Sequence, residues 1–125
     1  MKVVGFGFCQ EATVANLRAA LALTGQRPDA LASITAKANA PALRTLAAEM
    51  NLPVIALPEV ALHGTPTLTH SPRILALFGT GSLAEAAALQ GACHGSESAT
   101  ARLLAPRVVT ADGIATAAIA ERLTP

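Results

Sequence analysis

Three short apolar runs alternate with segments of helical spacing: Lys2–Phe8 (KVVGFGF), Ala30–Thr35 (ALASIT) and Val54–Leu57 (VIAL). This order constrains the fold more than any other feature of the chain. The first helical segment, Val14–Leu23, sets Val14, Leu17, Ala20 and Leu21 on one face, with Thr13 to cap it and Thr24-Gly25 to end it. The second is capped by Asn39 and has Pro41 in its first turn. It turns Leu43, Leu46, Ala47 and Met50 inward and breaks at Asn51-Leu52-Pro53. Beyond the third run, Pro58–Leu62 and Arg73–Phe78 read as short helical turns flanking an exposed loop, Gly64–His70. Ser82 opens a helix to about Leu89, Gly91–Thr100 is flexible by composition, and Arg102–Ala105 is a fourth strand stopped by Pro106.

Strand and helix in alternation predict parallel pairing through crossovers. The expected fold is therefore α/β: a three-layer α/β/α sandwich on a mostly parallel sheet, as one domain over residues 1–125. The segment Gly113–Leu123 stays open. Its alanines favour helix, and the period-two spacing of Ile114, Thr116 and Ala118 permits a strand.

The mean hydropathy of +0.47 raises the question of a membrane. A spanning helix needs about 20 predominantly apolar residues. The longest stretch without Asp, Glu, Lys or Arg, Val60–Pro72, contains His63, His70, three Thr and two Pro. Val3–Phe8 is too short for a signal-peptide core. The expectation is a cytoplasmic protein with no membrane partner, whose Cys9 and Cys93 are thiols. A net charge of +1 gives no electrostatic footprint for nucleic acid. Seven of the nine basic residues are Arg, a composition compatible with a polyanionic ligand.

In an open parallel sheet, ligands bind where strands run out into loops at the carboxyl edge. Three such loops stand out. Gly5–Thr13 (GFGFCQEAT) begins like a dinucleotide fingerprint, but Gln10 occupies the place of the third glycine. The helix start at Thr13 directs free N–H groups above the sheet, and Cys9 beside it is a candidate nucleophile or simply a small turn residue. In the second loop, Lys37 directly follows a strand, as a ligand-facing cation or a solvated loop lysine. In the third, Gly79-Thr80-Gly81-Ser82, the glycines permit close backbone approach, while Ser82 and Glu85 match a capping box. His63/His70 and Cys93/His94 lack metal-ligand spacing, so no metal or cofactor is expected.

Together these loops resemble the CobE/CbiG C-terminal domain family of cobalamin biosynthesis. The similarity lies in Ala32-Ser33-Ile34-Thr35-Ala36-Lys37-Ala38-Asn39-Ala40-Pro41-Ala42-Leu43, in the segment Gly79–Leu89 (GTGSLAEAAAL), and in Leu103-Leu104-Ala105-Pro106-Arg107. The resemblance covers essentially the whole chain and is greatest to the free-standing members of the family. It implies a mixed sheet of about five strands with a final antiparallel strand, which tips Gly113–Leu123 toward strand. It also implies a place in corrin-ring assembly.

The ligand expected on that basis is a carboxylate-rich corrinoid intermediate. Its cradle would be the turn Gly7–Thr13 (Gly7, Cys9, Gln10 and Thr13 as contacts), Lys37, Gly79, Thr80, Gly81, Ser82 and Arg107. The rival expectations are a hydrolase or isomerase using Cys9 as nucleophile or Glu11 as general acid/base, and a module docking on other pathway enzymes such as a methyltransferase.

Overall fold

The first strand sorts its side chains by size. In the computed structural model, which describes residues 1–96 and 98–123, β1 (Lys2–Phe8) presents Val4, Phe6 and Phe8 to one face and Val3, Gly5 and Gly7 to the other. The two faces consequently take different helices. On the phenylalanine face lie α1 (Val14–Thr24) and α3 (Pro41–Met50), which bury Leu17, Leu21, Leu43 and Leu46 against Val4, Phe6, Leu31 and Ile119. On the glycine face lies α6 (Leu83–Ala92), which buries Ala84, Ala87 and Ala88 against Val3, Ala30, Ala32, Ala118 and Ala120.

The approach of α6 is close. A Cβ added at Gly5 would stand 2.1 Å from the Ala84 carbonyl oxygen and 2.4 Å from the Ala88 nitrogen. The small aliphatic composition is thus a requirement of contact between this helix and the sheet. Two short helices, α4 (Glu59–Leu62) and α5 (Pro72–Phe78), lie along the chain between the third strand and α6.

The sheet order is β3-β2-β1-β6-β4, with β2 at Ala30–Ile34, β3 at Val54–Leu57, β4 at Ala101–Leu103 and β6 at Ala115–Arg122; β5 (Val108–Val109) pairs with β6 beside β4. β1, β2 and β3 pair in parallel. β6 is antiparallel to β1 from Lys2↔Glu121 to Phe8↔Ala115, and β4 and β5 are antiparallel to β6. Among the described residues, five of the six strands therefore run one way and the last runs against them, the α/β sandwich expected from the sequence and the resemblance.

Several local expectations change. Thr35, read as the end of the second strand, opens a one-turn helix, α2 (Thr35–Ala38), because the chain curls over the strand end toward α3. Asn39 does not cap α3. It is the C-cap of α2, its amide donates to the Thr35 carbonyl and its carbonyl accepts from Arg44, while Ala40 takes the N-cap position of α3 with no side-chain hydrogen bond. The fourth strand ends at Leu103, although Leu104 N–H still reaches the Ile119 carbonyl at 2.9 Å. α6 continues to Ala92, into the segment Gly91–Thr100 read as flexible, of which Glu97 lies outside the described residues. No single described helix is long and apolar enough to cross a membrane.

Candidate functional site

At the carboxyl edge of β1 and β2 lies an open cavity of about 670 Å³, lined by Phe8, Gln10, Ala12, Ile34, Ala36, Lys37, Ala40, Pro41, Ala42 and Phe78. Each element delivers its part for a local reason. β1 ends on the ring of Phe8. The turn after it is pinned by Cys9 N–H on the Ile114 carbonyl (3.2 Å) and by Ala12 N–H on the Cys9 carbonyl (3.0 Å), and it brings Gln10 and Ala12 to the rim. α2 carries Lys37, and the start of α3 carries Ala40, Pro41 and Ala42. Phe78, the last residue of α5, also lines the cavity.

Among the described residues, Lys37 is the only charged side chain on this wall. Its ammonium donates to the Phe8 carbonyl and stands 5.0 Å from the centroid of the Phe8 ring. Desolvation by the surrounding apolar groups lowers its pKa below the ordinary 10.5, and the neighbouring Cys9 charge partly offsets that effect. The salt bridges among the described residues, Arg18–Glu49 and Arg102–Glu121, do not involve it. Lys37 is thus a partly buried cation held by a carbonyl and an aromatic face, with no carboxylate salt-bridged to it among the described residues.

Of the residues singled out from the sequence, Gln10 and Lys37 share this cavity. Cys9 and Glu11 flank Gln10 but are exposed and outside the wall. Thr13 is spent on α1: its hydroxyl accepts from Asn16 N–H while its own N–H donates to the Asn16 side chain. Gly7 faces α6, where an added Cβ would lie 2.8 Å from Thr116 Oγ1. The segment Gly79–Ser82 forms a clasp. Gly79 O accepts from Gly64 N–H, Thr80 Oγ1 donates to Thr65 O, Gly81 O accepts from Ser71 N–H, and Ser82 caps α6. Thr80, Gly81 and Ser82 are buried in that work, and the clasp contributes to the cavity by setting Phe78.

Arg107 is not brought to Lys37. It lies on the flank of β6 away from β1, where its backbone N–H donates to Glu85 Oε2 at 2.8 Å. The expected capping box is half formed. Ser82 Oγ accepts from Glu85 N–H, but the Glu85 side chain is fully buried and accepts instead from Leu68 N–H, Thr69 N–H, Thr69 Oγ1 and Arg107 N–H. Sequence reasoning missed the aromatic walls, Phe8 and Phe78. The available signal was that only three Phe, Tyr or Trp residues occur in the chain and each stands next to a glycine, Gly5, Gly7 or Gly79. Among the described residues, no three His, Cys, Asp or Glu side chains gather as a metal would need.

The whole of this framework matches a known family. The family model described as cobalamin synthesis G C-terminus matches residues 2–120. Among solved structures, that of CobE, a protein from the cobalamin (vitamin B12) biosynthetic pathway, is similar with 34% identity and a TM-score of 0.84 over 99% of this chain and 91% of that one. The cobalamin biosynthesis protein chiG from Agrobacterium tumefaciens is similar with 30% identity and a TM-score of 0.67 over 97% and 98%. Among curated proteins, none matches the chain. Matched by the family model over residues 2–120 and at 34% and 30% identity by structures that it covers almost entirely, the chain belongs to the CobE/CbiG C-terminal family of cobalamin biosynthesis.

Proposed function

We propose that this protein binds and hands on a corrinoid intermediate of the aerobic route to cobalamin, in the cytoplasm and in company with other enzymes of the pathway. A corrin intermediate is a broad apolar ring fringed with carboxylates. The cavity at the carboxyl edge offers the complementary surface: Phe8, Ile34, Pro41 and Phe78 as an apolar floor, Lys37 as the cation and Gln10 as a neutral polar contact. The observation that carries the reading is the lysine. Placing an ammonium against Phe8 with no acidic partner costs stability, and an incoming carboxylate recovers it. The uncapped start of α3, which forms part of the same wall, adds a favourable field for an anion. The likeness to CobE, a protein from the cobalamin biosynthetic pathway, supports a role in that pathway. Cys9 and Glu11 are exposed and do not line this cavity.

The test is titration of a corrin acid followed by its visible spectrum. A charge-assisted contact that is partly shielded from water is worth about 1.4 kcal/mol, so Lys37→Ala weakens binding about ten-fold while Lys37→Arg stays near wild type. Equal and unsaturable spectra in wild type and Lys37→Ala sink the reading. The sign with pH follows from the lysine. Its depressed pKa means the ammonium is lost at a pH below 10.5, so affinity falls through that alkaline window in wild type and not in Lys37→Ala.

A further inference from the structure

Resting on that reading, we infer that the cavity takes a single carboxylate and one edge of the ring, leaving the rest of the ligand's charged fringe outside the protein. The wall sets this limit. Eight of its ten residues are apolar, one is the neutral Gln10, and Lys37 supplies its whole formal charge. The family's other sequence-marked cation, Arg107, lies across β6 and is tied by its backbone to Glu85. Arg44, on α3, is exposed and turned to the Asn39 side chain at 2.8 Å. A second carboxylate drawn onto this wall would meet Phe8, Ile34, Ala36 or Phe78 and be desolvated with no partner, which is strongly unfavourable.

The two phenylalanines add an orientation. Phe8 already offers its face to the Lys37 ammonium, so a carboxylate held by Lys37 brings the ring carbons attached to it onto Phe8 and Pro41, with Phe78 opposite. The bound ring is then held like a card by one edge. Its remaining carboxylates face water, available to a second protein that reads them. Selection at this site rests on a flat apolar edge beside one acid and is blind to how many acids the ring carries.

A series of metal-free porphyrins with octacarboxylate, tetracarboxylate and dicarboxylate fringes (uroporphyrin, coproporphyrin and mesoporphyrin) isolates the point. It is read by fluorescence titration of the full chain at physiological ionic strength, where charges beyond about 8 Å are screened. The expected result is that all three saturate and that Lys37→Ala weakens each by the same factor, about ten-fold. Phe78→Ala also weakens all three alike, and Arg107→Gln leaves all three unchanged. If the Lys37→Ala loss grows several-fold from the dicarboxylate to the octacarboxylate, or if Arg107→Gln weakens the octacarboxylate alone, more than one acid is read and the inference is overturned. If no member of the series binds while a corrin acid does, edge recognition of a flat ring is overturned and the functional reading survives. If neither binds, both fall.

Discussion

Glu85, in the first turn of α6, buries a carboxylate with four donors and, among the described residues, no salt-bridged cation. Charged side chains are almost never fully buried unless partnered, and here the partners are two backbone N–H groups and a hydroxyl of the loop before α5 and the N–H of Arg107. One side chain thereby fastens two connections that no secondary structure holds. Glu85→Gln replaces an acceptor oxygen by an amide NH₂ facing donors, and we expect a loss of about 2–3 kcal/mol in guanidinium unfolding with the fold retained. The same residue marks the limit of sequence reading. Spacing from Ser82 assigned it to a capping box, and half of that box exists. Spacing carries no information about the loop at Leu68-Thr69, so the tertiary demand that outcompeted the local one was invisible. Lys37 was legible as a cation at a strand end because β2 and its successor loop were; Arg107 was misplaced because its position depends on β5, a two-residue strand below the reach of any periodicity.

At the scale of elements, the glycine face of β1 and the alanine face of α6 are one device. Gly5 and Gly91 mark its tightest points; a Cβ at Gly91 would stand 2.9 Å from both Ala32 Cβ and Val3 Cγ1. Gly5→Ala collides with helix backbone, which has no rotamer to yield, so about 3 kcal/mol of destabilisation is expected even after the smaller unfolded-state entropy of alanine is counted. A thermal unfolding midpoint equal to wild type would contradict the packing described. Ser82→Ala, by contrast, removes one cap hydrogen bond and should cost about 1 kcal/mol. The strands and long helices were readable because their apolar spacing is set by the sheet they bury against. The last strand was not readable from the residues alone. A strand covered on both faces by closely packed helices wants small residues, and alanine carries the opposite local preference. The family resemblance, not the pattern, settled it.

For the molecule as a whole, the turn joining β5 to β6 couples stability to acid. Asp112 accepts from the Thr110 hydroxyl (2.6 Å) and from Ile114 N–H (3.0 Å), and these bonds, the hydroxyl first, hold its pKa below the ordinary 3.8. A depressed acid stabilises the fold above its unfolded pKa and loses that contribution as pH falls through its folded one. The guanidinium midpoint should therefore drop below about pH 4 with a component that Asp112→Asn abolishes. Persistence of that component in the variant would reassign it to other carboxylates. β6 itself has a larger effect on how the molecule comes into being. The strand sixth in sequence, Ala115–Arg122, is inserted between β1 and the β4–β5 edge. Until β6 pairs, β1 has an unclosed edge and α6 lacks the part of its floor made by Ala118 and Ala120. One long-range pairing therefore turns a set of local βα pieces into a folded protein, and the loop closure it demands sets the pace of folding.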